Sequence, residues 1–135
     1  MTDRPVPVIS PETQFYWDGA AAGKLLLNEC VGCDAAYFPP RPFCPTCGSR
    51  DVRVVEASGR GRLYSYVISH MAAPGYEPPY VIAVVELAEG PRMVSNLMGC
   101  PADPDALPLD MALEVTFEDR GDVTVPQFRP AGASA

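Results

Sequence analysis

The feature that most constrains this chain is a cluster of four cysteines in its first half. Two Cys-x-x-Cys pairs, Cys30 with Cys33 and Cys44 with Cys47, are separated by ten residues. Each pair places two sulfurs on one tight turn, and two such turns facing each other form a tetrahedral four-thiolate site. The spacing therefore predicts one zinc ion held by these cysteines. Because four protein ligands leave no open position, we expect a structural site rather than a catalytic one.

Two other interpretations of the cysteines remain open at this point. Thiolate ligands and tetrahedral geometry do not separate zinc from the mononuclear iron of a rubredoxin. Disulfides are the second alternative, but the N-terminal residues lack the apolar stretch of a secretory signal, and no segment approaches the ~20 apolar residues of a membrane span. We therefore expect a cytoplasmic protein, in which thiols stay reduced and paired cysteines bind metal.

The length of the chain favours such a metal staple. Its 135 residues suit one domain or two very small ones. A barrel of about 70–80 residues leaves a remainder too short to fold on its own core. We therefore predict that the metal holds together the segment 24–56.

A short helix is predicted ahead of the cysteines. Ser10 fits its N-cap, Pro11 its first position and Gly23 its C-terminal end. Three adjacent aromatic side chains on this helix spread over most of its circumference, at ~100° per residue. We expect a second surface, either the other subdomain or a partner protein, to cover what one small core does not. The alternative is a helix lying flat on its own domain with one ring half-exposed. These aromatic residues are Phe15, Tyr16 and Trp17.

Strand signals dominate the remainder of the chain. Hairpins join the second predicted barrel strand to the third and the fourth to the fifth, with a proline-rich connection between them. This order fits a five-stranded OB-fold barrel, with an SH3-like barrel as the alternative. We thus predict a mainly β protein, with a helix and a rubredoxin-like zinc ribbon over 10–56 and an OB-fold domain over 57–130. Ribbon strands are predicted at 24–29 and 52–56, and barrel strands at 62–69, 80–87, 92–98, 112–118 and 123–125.

The charge of the chain is unevenly distributed. The net charge is −7, yet the window 41–62 holds five of the ten basic residues against two acids. Because phosphate contacts dominate nucleic-acid affinity, an acidic chain with one small basic window is a poor general nucleic-acid binder. Such a window can hold one compact phosphorylated ligand, or it can be a solvated arginine-rich face. Its arginines are Arg41, Arg50, Arg53, Arg60 and Arg62.

Few residues in the sequence suit catalysis. His70 is the only histidine, and Cys100 lies alone in the proline-rich connection. A reactive thiolate needs a partner that lowers its pKa, and the sequence supplies none near Cys100. No nucleophile elbow, phosphate loop or dinucleotide fingerprint is present. We therefore expect that this chain does not catalyse a reaction alone.

The combined motifs resemble the zinc-ribbon/OB-fold proteins of domain-of-unknown-function family 35. The segment FPPRPFCPTCGS followed by SGRGRLYSY is specific, and PPYVIAVVELAEGPRMVSNL and VTFED complete a likeness over about residues 12–130. The resemblance implies a helix, a ribbon with the four cysteines as ligands, and an OB barrel. The family pattern has a glycine near the start of the fourth barrel strand. This chain has Asp110 or Met111 there, which leaves the turn geometry open.

The resemblance also implies a function. Family members are typically non-catalytic partners of thiolase-superfamily enzymes that act on acyl-CoA. These enzymes include thiolases, hydroxymethylglutaryl-CoA synthase and the lipid-transfer-type aldolases of steroid side-chain degradation. The expected assembly is a hetero-oligomer with two copies of each chain, with no membrane contact. Some members are fused to a hydratase domain, for which this chain is expected to be too short.

The residues offer candidates for both parts of that function. Arg60, Arg62 and Arg92 are expected near one end of the barrel, where they can meet the phosphates of CoA. A second group supplies apolar surface for a partner protein, and we name it the docking set. The docking set is Phe15, Tyr16, Trp17, Tyr37 and Phe38.

Two further functions are kept as alternatives. A ribbon joined to an OB-fold also suits single-stranded nucleic acid, for which Tyr64 and Tyr66 provide stacking rings. The strands after position 63 are acidic, which disfavours this function. The other alternative is a rubredoxin-like electron carrier, which requires iron rather than zinc.

Overall fold

The computed structural model describes residues 6–131 as a three-stranded ribbon followed by a five-stranded barrel. Within this range the chain is mainly strand, with a single α-helix, which confirms the predicted fold class. The elements are α1 (Gln14–Ala21), β1 (Leu26–Cys30), β2 (Ala35–Tyr37), β3 (Val52–Glu56), β4 (Arg60–Ser69), β5 (Tyr80–Leu87), β6 (Arg92–Asn96), a 3₁₀-helix (Pro104–Ala106), β7 (Ala112–Asp119) and β8 (Thr124–Pro130).

The ribbon is an antiparallel sheet in the order β2-β1-β3. Strand β1 lies in the centre, and its Asn28 is opposite Tyr37 of β2 and Val54 of β3. Cys30, the last residue of β1, therefore lies where the three strands end together. Strand β2 was not among the predicted strands, because three residues between two metal knuckles carry no readable alternation.

The barrel has the strand order β6-β5-β4-β7-β8, and all these pairs are antiparallel. Its two outer strands approach each other through a parallel bridge between Leu97 and Phe128, where the Met98 N–H donates to the Phe128 carbonyl at 2.8 Å. This nearly closes the sheet and agrees with the predicted OB-fold. A register shift between Leu63 and Ser65 bulges β4 at Tyr64.

One hydrophobic core includes residues from the helix, the ribbon and the barrel. Helix α1 packs against β1 and β8, so its Tyr16 joins ribbon and barrel side chains in a single cluster. The proposed division into 10–56 and 57–130 stays a prediction. The largest fully buried side chains of this hydrophobic core are Leu25, Leu27, Leu63, Val85, Leu107, Leu113 and Phe128.

Helix α1 begins later than the sequence suggested. The N-cap is Thr13, with no side-chain capping hydrogen bond, and the helix starts at Gln14. The Thr13 N–H donates to the Ser10 carbonyl at 3.0 Å, and the Ser10 N–H donates to Thr13 Oγ1 at 3.1 Å. These bonds hold the first residues in a separate turn. The C-terminal end is as predicted, because Gly23 has a φ of 78° and donates to the Ala20 carbonyl.

The turn before β7 shows how the chain replaces the glycine expected there. Asp110 has a φ of 66°, in the left-handed region that aspartate tolerates better than most residues. Its N–H donates to the Leu63 carbonyl at 2.8 Å, and its carboxylate pairs with Arg62. The aspartate thus supplies the positive φ and also ties this turn to β4.

Residues 6–131 contain no helix long and apolar enough to cross a membrane. Residues 1–5 and 132–135 lie outside the described residues. The first of these ranges belongs to the N-terminal segment in which we found no secretory signal.

Phe128 is the side chain on which barrel closure depends, since it is fully buried where β8 meets the end of β6. Phe128→Ala should lower the free energy of unfolding by about 3–5 kcal/mol, the usual cost of removing a buried aromatic ring. Urea unfolding of the zinc-loaded protein measures this. Val94→Ala, at a side chain 68% exposed on β6, is the control and should change it by less than about 0.5 kcal/mol. A Phe128→Ala loss below ~1 kcal/mol would contradict the assignment.

Candidate metal centre and docking surface

The four predicted ligands meet at the open end of the ribbon. The Sγ atoms of Cys30, Cys33, Cys44 and Cys47 all lie within 4.8 Å of one another. Cys30 Sγ lies 3.7 Å from Cys47 Sγ, and Cys33 Sγ lies 4.0 Å from Cys44 Sγ. A tetrahedron with metal–sulfur bonds of about 2.3 Å has sulfur–sulfur edges of about 3.8 Å. The donor set therefore fits one structural zinc ion.

Backbone amides support the buried sulfurs of the two knuckles. The Cys33 N–H donates to Cys30 Sγ at 3.4 Å. The N–H groups of Cys47 and Thr46 donate to Cys44 Sγ at 3.5 and 3.3 Å. These amides, with that of Cys47 contributing most, lower the pKa of the Cys44 thiol to about 6. These amides thus favour the thiolate form of Cys44, which metal binding requires.

The loop between the knuckles is fixed to the ribbon sheet. Tyr37 donates its hydroxyl hydrogen to the Arg41 carbonyl at 2.6 Å, and the Arg41 N–H donates to Asn28 Oδ1 at 3.1 Å. Asn28 and Tyr37 are buried at 5% and 7% exposure, so these hydrogen bonds are shielded from water. Phe38, the next residue, therefore lies in a loop that these hydrogen bonds hold against the ribbon sheet.

The docking set divides into a buried and a partly exposed part. Tyr16 is 5% exposed, and burial raises its pKa above the usual range of a tyrosine. Its ring centroid lies 4.9 Å from that of Trp17 and 5.4 Å from that of Phe38. Phe15, Trp17 and Phe38 remain half-buried around it. Helix α1 thus lies on its own chain without exposing a full ring, and a docking role for the half-buried rings stays a prediction.

A groove of about 420 Å³ opens between α1, the ribbon loop and the barrel, and Trp17 and Phe38 line one side of it. Tyr76 and Tyr80, whose ring centroids lie 4.9 Å apart in a stacked arrangement, also line it. Arg120 donates to the Tyr76 hydroxyl at 2.6 Å. No sequence pattern indicated this groove, because its walls come from segments far apart in the chain. Its other lining residues include Ile82, Val94, Asn96, Val125, Pro126 and Gln127.

The arginines of the basic window do not form one patch. Arg53 pairs with Glu29 and Asp34 on the ribbon, whereas Arg60 and Arg62 lie on β4 of the barrel. The window is therefore divided between two sheets, and only its barrel part adjoins the predicted phosphate site.

Two of the three predicted phosphate-binding arginines share one carboxylate. Arg62 lies 2.5 Å from Glu86 Oε1, and Arg92 donates to Glu86 Oε2 at 3.0 Å. These hydrogen bonds, the one from Arg62 first, lower the pKa of Glu86 below its ordinary value. The Arg92 guanidinium also lies 3.8 Å above the Tyr64 ring. Among residues 6–131, Arg60 is exposed and makes no ion pair.

Cys100 and His70 lie apart from the metal centre. Cys100 packs against the hydrophobic core, and burial raises the pKa of its thiol. His70 is exposed at the end of β4. A raised thiol pKa agrees with the inert role expected for Cys100.

Comparison with known proteins identifies the family. Residues 17–53 match the family model described as "ChsH2, rubredoxin-like zinc ribbon domain", and residues 54–118 match "ChsH2, C-terminal OB-fold domain". A DUF35 domain-containing scaffold protein of Methanocaldococcus jannaschii is 35% identical over 112 residues, covering 76% of this chain and 78% of that protein. The chain therefore belongs to the DUF35 family of zinc-ribbon/OB-fold proteins.

Other relatives belong to multi-subunit enzymes. A probable enoyl-CoA hydratase alpha subunit of Thermomonospora curvata is 40% identical over 129 residues, covering 95% of this chain but 40% of that protein. The chain thus spans about two fifths of the length of that subunit. A benzoylsuccinyl-CoA thiolase subunit BbsA of Thauera aromatica is 33% identical over 73 residues, or 54% of this chain and 51% of that one.

One solved structure matches nearly the full chain. A chain of the structure described as "Ltp2-ChsH2(DUF35) aldolase" superposes with a TM-score of 0.82 and 39% sequence identity. The match covers 93% of this chain and 99% of that chain.

Cys44 is the buried cysteine whose thiolate the backbone supports most directly. Cys44→Ser should reduce the zinc content from one ion per chain to less than half, because a three-thiolate site binds zinc more weakly. Elemental analysis of the purified protein measures the metal. Cys100→Ser is the matched control and should keep one zinc per chain. A full complement of zinc in Cys44→Ser would contradict the four-thiolate site.

Proposed function

We propose that this chain is a non-catalytic accessory subunit that binds a thiolase-like enzyme and supports its acyl-CoA binding and turnover. The observation that carries the proposal is the match to a chain of an aldolase assembly over nearly the full length of both chains. Relatives that are thiolase, hydratase or scaffold proteins support the same kind of role.

The chemistry of the site supports a non-catalytic role. A zinc ion with four thiolate ligands has no open position for a substrate or an activated water. The lone Cys100 has a raised pKa and does not supply a thiolate nucleophile at neutral pH. The reacting groups are thus proposed to lie on the partner enzyme, and this chain acts by shaping and holding the complex.

The partly exposed rings of the docking set are the proposed contact with the enzyme. The Trp17 and Phe38 rings contact the buried Tyr16, and Phe15 packs against the hydrophobic core, so these side chains are held in place before the partner binds. Tyr37 is buried and anchors the ribbon loop by its hydroxyl. Aromatic side chains held rigidly in this way lose little entropy on binding and are frequent energetic centres of interfaces.

The arginine end of the barrel is the proposed neighbour of the CoA phosphates. Arg60 has no ion pair among the described residues, and its guanidinium can face a phosphate directly. Arg62 and Arg92 are held by Glu86, which leaves them partly neutralised. We therefore propose Arg60 as the main phosphate contact, with Arg62 and Arg92 adding positive potential.

The finer points of the role are part of the same proposal. Among thiolases, hydroxymethylglutaryl-CoA synthases and lipid-transfer-type aldolases, the match to the aldolase structure favours an aldolase that cleaves a carbon–carbon bond of an acyl- or steroid-CoA. The proposed assembly has two copies of each chain. A reducing compartment such as the cytoplasm suits the four zinc-bound thiolates.

Loss of the partly exposed rings of the docking set should weaken the complex with the thiolase-like enzyme. Trp17→Ala and Phe38→Ala should each raise the Kd for the thiolase-like partner about tenfold or more, because truncated aromatic anchors typically cost over 1 kcal/mol. Calorimetric titration measures the Kd against Ltp2 and against any thiolase-like protein encoded by a neighbouring gene.

Leu109→Ala is the control for that titration, since Leu109 is 65% exposed outside the docking set, and it should leave the Kd unchanged. Cys44→Ser, which disturbs the ribbon, should also lose binding. If the unaltered chain binds neither enzyme, and the enzymes are stable and active alone, the proposed function is wrong.

Removal of the Arg60 charge should affect acyl-CoA use by the complex. Arg60→Gln should raise the KM for acyl-CoA roughly threefold to tenfold and leave kcat unchanged, because a phosphate contact binds substrate and transition state alike. Steady-state kinetics of the purified complex measures both constants. Arg50→Gln, at an exposed ribbon position, is the matched control. An unchanged KM in Arg60→Gln would show that Arg60 does not contact the CoA phosphates.

A further inference from the structure

The outer face of strands β4, β5 and β6 carries four adjacent apolar side chains beside the polar Ser65 and Asn96. Cross-strand partners share a face, so Val67 lies beside Ile82, and Val84 lies beside Val94. We call these four residues the valine face. The alternate residues of β5 are fully buried in the barrel, which shows that the valine face points away from the core.

The valine face is accessible in this chain. Val94 is 68% exposed and Val67 is 59% exposed, whereas Ile82 and Val84 are half-buried. An antiparallel sheet with one solvated face normally alternates apolar and polar residues. Adjacent exposed apolar side chains on a small protein mark an interaction surface more often than scattered single ones do.

The valine face connects the two regions already assigned to the enzyme. At one end, Ile82 and Val94 line the groove together with Trp17 and Phe38 of the docking set. At the other end, the next row of the same sheet face is Arg62, Glu86 and Arg92. One continuous surface therefore runs from the docking set to the proposed phosphate contacts.

We propose that the thiolase-like enzyme covers the valine face, so that its interface extends from the docking set across β4–β6 to the arginine end. This inference rests on the proposed function and adds the barrel face to it. The enzyme would contribute apolar side chains above the four residues of the valine face. Its bound acyl-CoA would place phosphates at the arginine end.

Charge favours this occupant over a second copy of the chain. At the arginine end, Arg62 and Arg92 share Glu86 and Arg62 also pairs with Asp110, whereas the positive charge of Arg60 has no ion-pair partner among the described residues. The phosphates of an acyl-CoA held by the enzyme complement that charge. A second copy would instead bring together two chains of net charge −7, which repel each other.

The chemistry of the valine face also disfavours nucleic acid. OB-folds bind oligonucleotides on the corresponding strands and the adjacent loops. Such sites use aromatic rings that stack on bases and basic side chains that follow the phosphates. The valine face offers branched aliphatic side chains. The Arg92 guanidinium covers the neighbouring Tyr64 ring, and Arg62 and Arg92 share Glu86.

Charged substitutions on the valine face test the inference. Val67→Asp and Val94→Asp should each raise the Kd for the thiolase-like enzyme at least tenfold, because the interface would bury an unpaired carboxylate. Val54→Asp is the matched control, a strand valine 49% exposed on the ribbon sheet, and its Kd should stay within twofold. Calorimetric titration uses Ltp2 and any thiolase-like protein encoded by a neighbouring gene, with zinc content and circular dichroism as checks of folding.

The outcomes separate this inference from the proposed function. If the unaltered chain binds and both folded aspartate variants bind within twofold of it, the valine face is not part of the interface, while the proposed function stands. If the unaltered chain binds neither enzyme, both proposals fall. Light scattering completes the test: a dimer of the chain alone that Val94→Asp converts to monomer would make a second copy the occupant and overturn the inference.

Discussion

The convergence of four thiolates is the constraint on which the N-terminal part of this structure depends. The ribbon strands are three to five residues long, and no side chain of β3 is fully buried. So small a sheet cannot bury enough apolar surface to offset the entropy of ordering its loops. Metal ligation orders one end of the ribbon, and contact of Leu25 and Leu27 with the shared core orders the other. Phe38 takes its position beside α1 only because both ends are held.

In the barrel, a buried polar network orders the residues that line the floor of the groove. Gln127 is 2% exposed, and its Oε1 accepts from Ser95 Oγ at 2.9 Å and from the Asn96 N–H at 3.0 Å. The side-chain amide of Asn96 donates in turn to the Val81 carbonyl. These bonds tie β8 to β6 and β5 with the directionality that hydrophobic contacts lack. The groove is thus preformed, as is usual for surfaces that bind tightly.

Local signals predicted much of this structure, and long-range ones did not. The Cys-x-x-Cys pairs and the apolar run of β5, found at Tyr80–Leu87 as expected, depend on neighbours a few residues apart. Glu86 shared by Arg62 and Arg92, and Tyr76 beside Arg120, depend on strand register and barrel closure, which one sequence does not specify. The start of α1 was misplaced because the Ser10 and Thr13 hydroxyls bond to each other, and the Thr13 side chain makes no capping hydrogen bond to the helix.

Asp110 shows how one position can carry two requirements that oppose each other. Glycine would relieve the backbone at its φ of 66° but would leave Arg62 with Glu86 alone. Glutamate would keep the charge but tolerates this conformation less well, and asparagine would keep the conformation but lose the charge. No single replacement satisfies both demands, so a substitution at position 110 affects the charge balance around Arg62 as well as the turn. Transfer of this turn from a relative into this chain would therefore also alter the ion pairs at the arginine end of the barrel.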